Sequence, residues 1–549
     1  MVTSPRSPSL LSARLPAATW LLLVLLVALA AVPVSDPDAV MHASIGRWMV
    51  EHRALLPTPD PFVWTDAGAD HQHEWAAQWL IGGFVHAFGL TGLRIFGALL
   101  GGLCGWLVWQ ALRFHRASAA HATIGLGLWM VLVEPHLAPR PHLIGWAFAI
   151  VVLAWGLGDA QPWGRRRALQ WLLLTAAWAN FHSSVLLVVA YAGLHWLTVA
   201  WTEWRVGGPS SLWSASSLRQ ATLRLVVFAA GTLMQPQGAG LLSYVLASQA
   251  IGQWSDEWLP LLRADVWEER PAVLLAFAAL GVMVAGLVYR GRKDRLPAGG
   301  FPGLPAAVTS LLHAAVTRRM TVFALLAILW WAHRRALRPE SDPQPQGPSE
   351  GLRGLLDRGQ AWIAVVVTVL ALGPMTLVLG QPGPLRAGAF PTLAGGFLQA
   401  TDLKGRLFNP DPWGGWLAWQ LWPNQQVFLD GRILLSGSQV VADLVALQAR
   451  RPGVARLFAK YDLELLIQRT RDYQLVPPPD SAEWRVAWWD RQAIVLVRKG
   501  AQHWQGNLKQ LCDFYHDRPT LTPHAELPAR WPAALRLESA LSHCPEQAR

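Results

Sequence analysis

Apolar runs recur through most of the first 380 positions, separated by short polar segments. A membrane-spanning helix needs about 20 mostly apolar residues, and somewhat fewer where protein buries its ends. By that measure the candidates are 17–34, 90–112, 119–137, 141–160, 168–181, 183–201, 219–235, 271–290, 303–317, 320–333 and 361–380, about eleven in all. The first could instead be a cleaved signal peptide, but the spans that follow favour a retained helix. From about residue 395 the pattern changes to that of a soluble fold. QVFLD (426–430) and LELLIQ (463–468) read as buried strands, and WRVAWWD followed by RQAIVLVRK as a hairpin. DLVALQARR (443–451) reads as a helix, and RPESDPQPQGPSEG (338–351) as a linker. The pattern predicts an α-helical polytopic membrane protein over 1–390, with a first outer loop at 35–89, and a C-terminal soluble α/β domain over 395–549.

Charge placement gives the orientation. With the N-terminus inside, Arg113 and Arg116, Arg165–Arg167, Arg205, the cluster Arg290, Arg292, Lys293 and Arg295, and Arg334, Arg335 and Arg338 all fall on the cytoplasmic side. An odd number of spans then puts the C-terminal region outside. Arg318 and Arg319 break the pattern, in a tight turn on the outer side. Either the pair is cytoplasmic and the span limits lie elsewhere, or it forms a cation site for a phosphate, whose oxygens guanidinium groups bind bidentately.

Composition agrees with a membrane protein. Of 549 residues, 52% are hydrophobic and only 15% charged, against about 25% charged in soluble domains. The 32 tryptophans suit long membrane–water interfaces. The net charge of +11 would raise nucleic acid as a partner of a soluble protein, but here orientation in the bilayer explains it. Three cysteines exclude a disulfide scaffold or a Cys-rich metal site. Cys512 and Cys544 can pair if the tail lies outside the cytoplasm.

The candidate chemistry concentrates in the first outer loop. Residues 35–75 carry seven acids (Asp36, Asp38, Glu51, Asp60, Asp66, Asp70 and Glu74), two arginines and four histidines. Asp36 and Asp38 follow the first span directly, at the membrane surface. Asp38 and His42 are an i,i+4 pair, and with Arg53 their spacing fits one side of a short helix. A carboxylate there can act as general base on an acceptor hydroxyl. Asp36, just before Pro37, also fits a helix N-cap, which leaves Asp38 as the first choice for chemistry and Asp36 as cap or helper. No GxSxG, Walker-type Gly-Lys-Ser/Thr or HExxH pattern occurs, which argues against several soluble mechanisms.

The run DPDAVMHASIGRWMVEHRALLPTPDPFVWT, followed by HEWAAQWLIGGFVHAFG, resembles the first loop of bacterial polytopic GT-C-type glycosyltransferases. That group includes protein O-mannosyltransferase-like and aminoarabinose-transferase-like enzymes. WANFH (178–182), PQG (236–238), DEWLP (256–260), TRRMTVFAL (317–325), NPDPWGGWLAWQLWP (409–423) and VFLDGR (427–432) extend the likeness over most of the chain. Met41, where relatives have an aromatic before the histidine, and Gln235, where they have Asn before Pro, depart from the pattern. The resemblance implies a GT-C-like bundle, Asp36 or Asp38 as catalytic base, and a polyprenyl-phosphate-linked sugar donor entering from the bilayer. The acceptor would be an envelope lipid, glycan or protein at the outer face of the inner membrane.

Further candidates follow from that expectation. Glu74 with His71 and His73, and with His182 on the same side, could hold a divalent metal, form a hydrogen-bonded structural cluster, or supply a second catalytic or substrate-orienting carboxylate. Asn180 and His182, at the end of a span, are either interfacial anchors or pocket residues. In the enzyme reading Arg318 and Arg319 hold the leaving phosphate, while Glu74, His42, His73, Asn180 and His182 shape the substrate site. The tryptophans and the Gly414–Gly415 pair of the 409–423 motif read as structural, allowing close backbone approach at the bilayer surface. The alternatives to an enzyme are a transporter or lipid flippase without chemistry, and a scaffold whose external domain binds a partner.

Overall fold

The computed structural model describes residues 15–57, 59–65, 73–158, 161–251, 259–263, 268–294, 304–336, 350–432, 437–448, 454–470, 483–518 and 540–544. His71, the linker at 338–349 and the first residues of DEWLP lie outside that set. The chain begins with α1 (Ala17–Ala30), α2 (Pro37–His52), α3 (Trp75–Phe88), α4 (Thr91–Phe114) and α5 (Ala119–Val133). Next come α6 (Pro141–Val151), α7 (Arg165–Phe181), α8 (Val185–Gly207), α9 (Ser211–Ser214), α10 (Ser216–Leu233) and α11 (Gly240–Ile251). Then follow α12 (Pro271–Asp294), α13 (Leu304–Val316), α14 (Leu325–Ala336), α15 (Glu350–Leu372), α16 (Thr392–Thr401) and α17 (Asp411–Leu421). The last helices are α18 (Gly437–Gln448), α19 (Val454–Tyr461) and α20 (Trp504–His516).

Two compact units emerge. The first comprises Met1–Val32, His73–Ala77 and Arg94–Gly380. Every apolar stretch read from the sequence contains helix here. Among the described residues four segments are long and apolar enough to cross a membrane: Thr91–Phe114, Val185–Gly207, Pro271–Tyr289 and Arg358–Gly380. Ala17–Ala30, Pro141–Leu157, Leu304–Val316 and Met320–Trp331 are shorter apolar helices. Within the unit α10 packs on α7 and α8, and α12 and α15 pack on α5. The long helices leave large apolar side chains uncovered, among them Val282 (72% exposed) and Leu370 (71%). Such faces are a liability in water and are suited to lipid. The unit is that of a membrane protein.

The second unit comprises Pro33–Gln72, Gln78–Leu93 and Gln381–Arg549. It therefore takes in residues of the first loop together with the C-terminal region. Its sheet has the order β1-β2-β4-β3, with β1 (Leu407–Phe408) parallel to β2 (Leu465–Arg469). The expected hairpin forms as β3 (Trp484–Trp489) and β4 (Ala493–Arg498), and β4 also runs antiparallel to β2 with Ile467 opposite Val495. Phe428, Leu444, Leu463, Leu466, Trp484 and Leu496 meet in its core.

QVFLD is a correction to the strand expectation. Only Val427 makes a bridge, to Val63. Beyond it the Asn409 side chain takes the place of a neighbouring strand: its Oδ1 accepts the Phe428 N–H at 2.8 Å and its Nδ2 donates to the Leu429 carbonyl at 2.9 Å. An amide side chain satisfies the backbone as well as a ladder would.

The glycine pair of α17 works as the sequence implies. A Cβ on Gly414 would run into the Leu429 carbonyl, and one on Gly415 would sit 2.6 Å from Met41 Cβ. Backbones thus touch where α17 meets α2, and Ser44 Oγ closes the contact by donating to the Gly415 carbonyl at 3.0 Å.

Cys512, in α20, and Cys544 form a disulfide across a separation of 32 residues. In the chain-entropy account a loop of that length contributes about 3–4 kcal/mol. Cys512→Ser should therefore lower the thermal midpoint of the purified protein, and dithiothreitol should shift the gel mobility of the wild type but not of the variant. A variant with wild-type stability would show that the bond contributes nothing.

Candidate functional site

The sequence around Asp38 is built to start a helix. Asp36 accepts the Ala39 N–H at 2.9 Å as N-cap, and Pro37 occupies the first turn. Asp36 thereby takes the capping role. Asp38 stands in the first turn of α2, where the helix N-terminus favours a negative charge. The helix ends at Arg53, in the left-handed conformation. His42, one turn beyond Asp38, is buried, and its Nδ1 lies 3.3 Å from Gln78 Nε2. α2 reaches Gln78 by close packing, since a Cβ on Gly46 would overlap the Gln78 carbonyl and Gly82.

VFLDGR lies beside Asp38. Gly431 has φ +94°, a conformation strained for any other residue, and a Cβ there would sit 3.4 Å from Asp38 Oδ1. On either side of that glycine, Asp430 and Arg432 pair through Arg432 Nε to Asp430 Oδ1 at 2.9 Å and Arg432 Nη2 to Asp430 Oδ2 at 2.6 Å. Arg432 Nη1 also donates to Asp60 Oδ2 at 2.5 Å. Asp60 in turn accepts the Phe62 and Val63 N–H groups through Oδ1 at 2.8 and 3.1 Å. The three side chains are all buried to within about a tenth of their surface. Burial alone would lower the Arg432 pKa, but the two carboxylates hold it well above the ordinary value. This clamp fixes the backbone that approaches Asp38.

Sequence reasoning passed over one more carboxyl. Asp411 is the first residue of α17, and its Oδ1 is buried without a hydrogen-bond partner among the described residues. Burial pushes its pKa up to about 7, helped by the Asp38 and Asp430 charges and opposed by Arg469. An acid in the Pro-flanked run NPDPW carries no chemical signature of its own.

The remaining candidates belong to the first unit. Glu74 is buried, with Oε1 3.3 Å from His182 Nε2 and 3.6 Å from His73 Nε2. The His182 tautomer follows from its neighbour: Nδ1 accepts the Ser184 N–H at 3.0 Å, so the ring proton sits on Nε2 and faces the Glu74 carboxylate. A ring held that way offers Glu74 a donor. Among the described residues no group of three or more His, Cys, Asp or Glu side chains is placed to hold a metal ion. Asn180 is fully engaged, accepting from Trp75 Nε1 at 2.8 Å and donating to the Ala176 and Met234 carbonyls at 2.8 and 2.9 Å. Arg318 and Arg319 begin a 3-10 turn, Arg318–Ala324, between α13 and α14.

No protein-family model and no curated protein matches the sequence. Solved structures do. The chain is similar to ArnT from Cupriavidus metallidurans bound to undecaprenyl phosphate, with a TM-score of 0.51 at 14% identity, covering 88% of this chain and 99% of that one. The apo state of the same ArnT gives a TM-score of 0.49 at 15% identity, with 86% and 95% covered. The oligosaccharyltransferase of Archaeoglobus fulgidus gives 0.48 at 10% identity, with 84% and 71% covered. The first of these likenesses shows that the chain shares the fold of that ArnT.

Proposed function

We propose that the protein is a membrane glycosyltransferase that moves a sugar from a polyprenyl-phosphate-linked donor to an envelope acceptor at the outer face of the inner membrane. The observation that carries this reading is Asp38: a half-buried carboxylate in the first turn of α2, whose N-cap is Asp36, flanked by the backbone of Gly431. The fold supports the reaction class, because the ArnT structure that shares it holds undecaprenyl phosphate. The disulfide supports an oxidising location for the C-terminal region, and the basic clusters support a cytoplasmic N-terminus.

In this mechanism Asp38 accepts the proton of the acceptor hydroxyl as the acceptor oxygen bonds to the anomeric carbon. The bond from that carbon to the phosphate oxygen breaks, and the polyprenyl phosphate leaves with the electron pair. The displacement is direct, since Asp38 has the role of base and no separate nucleophile is assigned. Arg318 and Arg319 are the proposed cations for the leaving phosphate, while His42, His73, Glu74, Asn180 and His182 are proposed to bind substrate. His182 is proposed to donate to Glu74.

Proteoliposomes loaded with the polyprenyl-phosphate-sugar fraction of the host membrane test the class of activity. The enzyme should release free polyprenyl phosphate and glycosylate envelope acceptor in proportion to protein. Movement of the lipid-linked sugar between leaflets without product would identify a flippase and overturn the reading.

A further inference from the structure

We propose that Asp411 is a further substrate-contacting residue, whose buried Oδ1 accepts a hydrogen bond from a hydroxyl of the donor sugar or of the acceptor beside Asp38. The inference rests on the reading of Asp38 as the base and extends it to a second carboxyl.

Three observations converge on Asp411. First, its backbone is fixed: Pro410 and Pro412 bracket it, and the close approach of α17 to Leu429 and Met41 leaves the start of that helix little room to shift. Second, Oδ1 is shut off from bulk solvent and has no hydrogen-bond partner among the described residues. A buried acceptor left unmade is costly, and a substrate hydroxyl would satisfy it. Third, its charged neighbours come from three separate segments: Asp38 on α2, Asp430 in the VFLDGR segment and Arg469 at the end of β2. Arg469 is turned to the Trp413 ring, 5.4 Å from its centroid. An arriving hydroxyl is neutral, donates to Oδ1, and adds no charge to this crowded set of carboxylates.

The state of Asp411 adds a readable consequence. Its pKa rises from 3.8 in the unfolded chain to about 7 in the folded one. Between those values the folded protein binds the extra proton, so Asp411 makes stability fall as pH rises from about 4 to about 7 and leaves it low above that. A carboxyl kept only to hold the fold together would do the opposite. Asp411 is thus a residue that stability alone would remove.

The test uses purified full-length protein in detergent. Donor is supplied as the polyprenyl-phosphate-sugar fraction, and acceptor as envelope material from a strain deleted for the gene. Asp411→Ala should reduce transfer about ten- to a hundredfold, the range for one lost hydrogen bond to substrate. Asp411→Asn keeps an acceptor oxygen and should recover most of that loss, while transfer ceases to depend on pH through 7. At pH 8 neither variant should melt below the wild type. Titrating each fraction separately assigns the hydroxyl: a raised half-saturation for the donor fraction places it on the sugar, and for the acceptor fraction on the acceptor. Wild-type transfer by Asp411→Ala, or loss of transfer only in step with lost folded protein, would overturn the proposal. Asp38→Asn is run alongside. If it is inactive while Asp411→Ala is fully active, only the role of Asp411 fails; if Asp38→Asn is itself active, the reading of the base has failed.

Discussion

Arg432→Ala should destabilise the second unit by about 3–5 kcal/mol, because removing one partner of a buried ion pair strands the charge of the other. Here two charges are stranded. Asp430 and Asp60 both lose their guanidinium contacts, at 2.6 and 2.5 Å, in a setting where each carboxylate is almost fully buried. The loss also reaches the geometry near Asp38, since Gly431 sits between the paired residues Asp430 and Arg432. Arg432→Lys should be nearly as damaging, because a single ammonium cannot reproduce the fork that spans Asp430 while reaching Asp60. Thermal unfolding of the detergent-purified variants, and the yield of folded protein, provide the check. Wild-type stability in Arg432→Ala would mean that the clamp does not hold the loop to the VFLDGR segment.

The second large effect is on chemistry. Asp38→Asn should lower transfer about 10²–10⁴-fold, the usual contribution of a general base, with little change in folding. The asparagine keeps the size of the side chain, and the cap of α2 belongs to Asp36, whose bond to Ala39 is untouched. Asp36→Asn is the control: asparagine caps as well as aspartate, so α2 and transfer should both survive.

The helices inside the eleven apolar stretches were legible because each presents an apolar run that bundle or bilayer burial requires, whereas α3, α9, α11, α16 and α20 were not read as helices. The β3–β4 hairpin was legible because its residues are largely apolar and β-branched or aromatic over both arms. Asp36 as cap and Gly414–Gly415 as a contact surface were legible too, since both are set by local stereochemistry. QVFLD was misread because its backbone is satisfied by one amide side chain, Asn409, which no periodicity reveals. The Asp60–Arg432 pair was out of reach for a different reason: its members are 372 positions apart, and only the folded chain joins them. Asp411 was not singled out, because an acid in such a Pro-flanked run carries no chemical signature of its own. What set it apart, an oxygen buried without a partner, is a property of packing.

The central claim is that Asp38 is the base of a sugar transfer to the envelope. It is tested most directly by mass spectrometry of envelope lipids and glycans from a deletion strain carrying either the wild type or Asp38→Asn. The account predicts that a glycan of defined mass disappears on deletion, returns with the wild type, and stays absent with an Asp38→Asn protein that is stably inserted in the membrane. Return of that glycan with Asp38→Asn would contradict it.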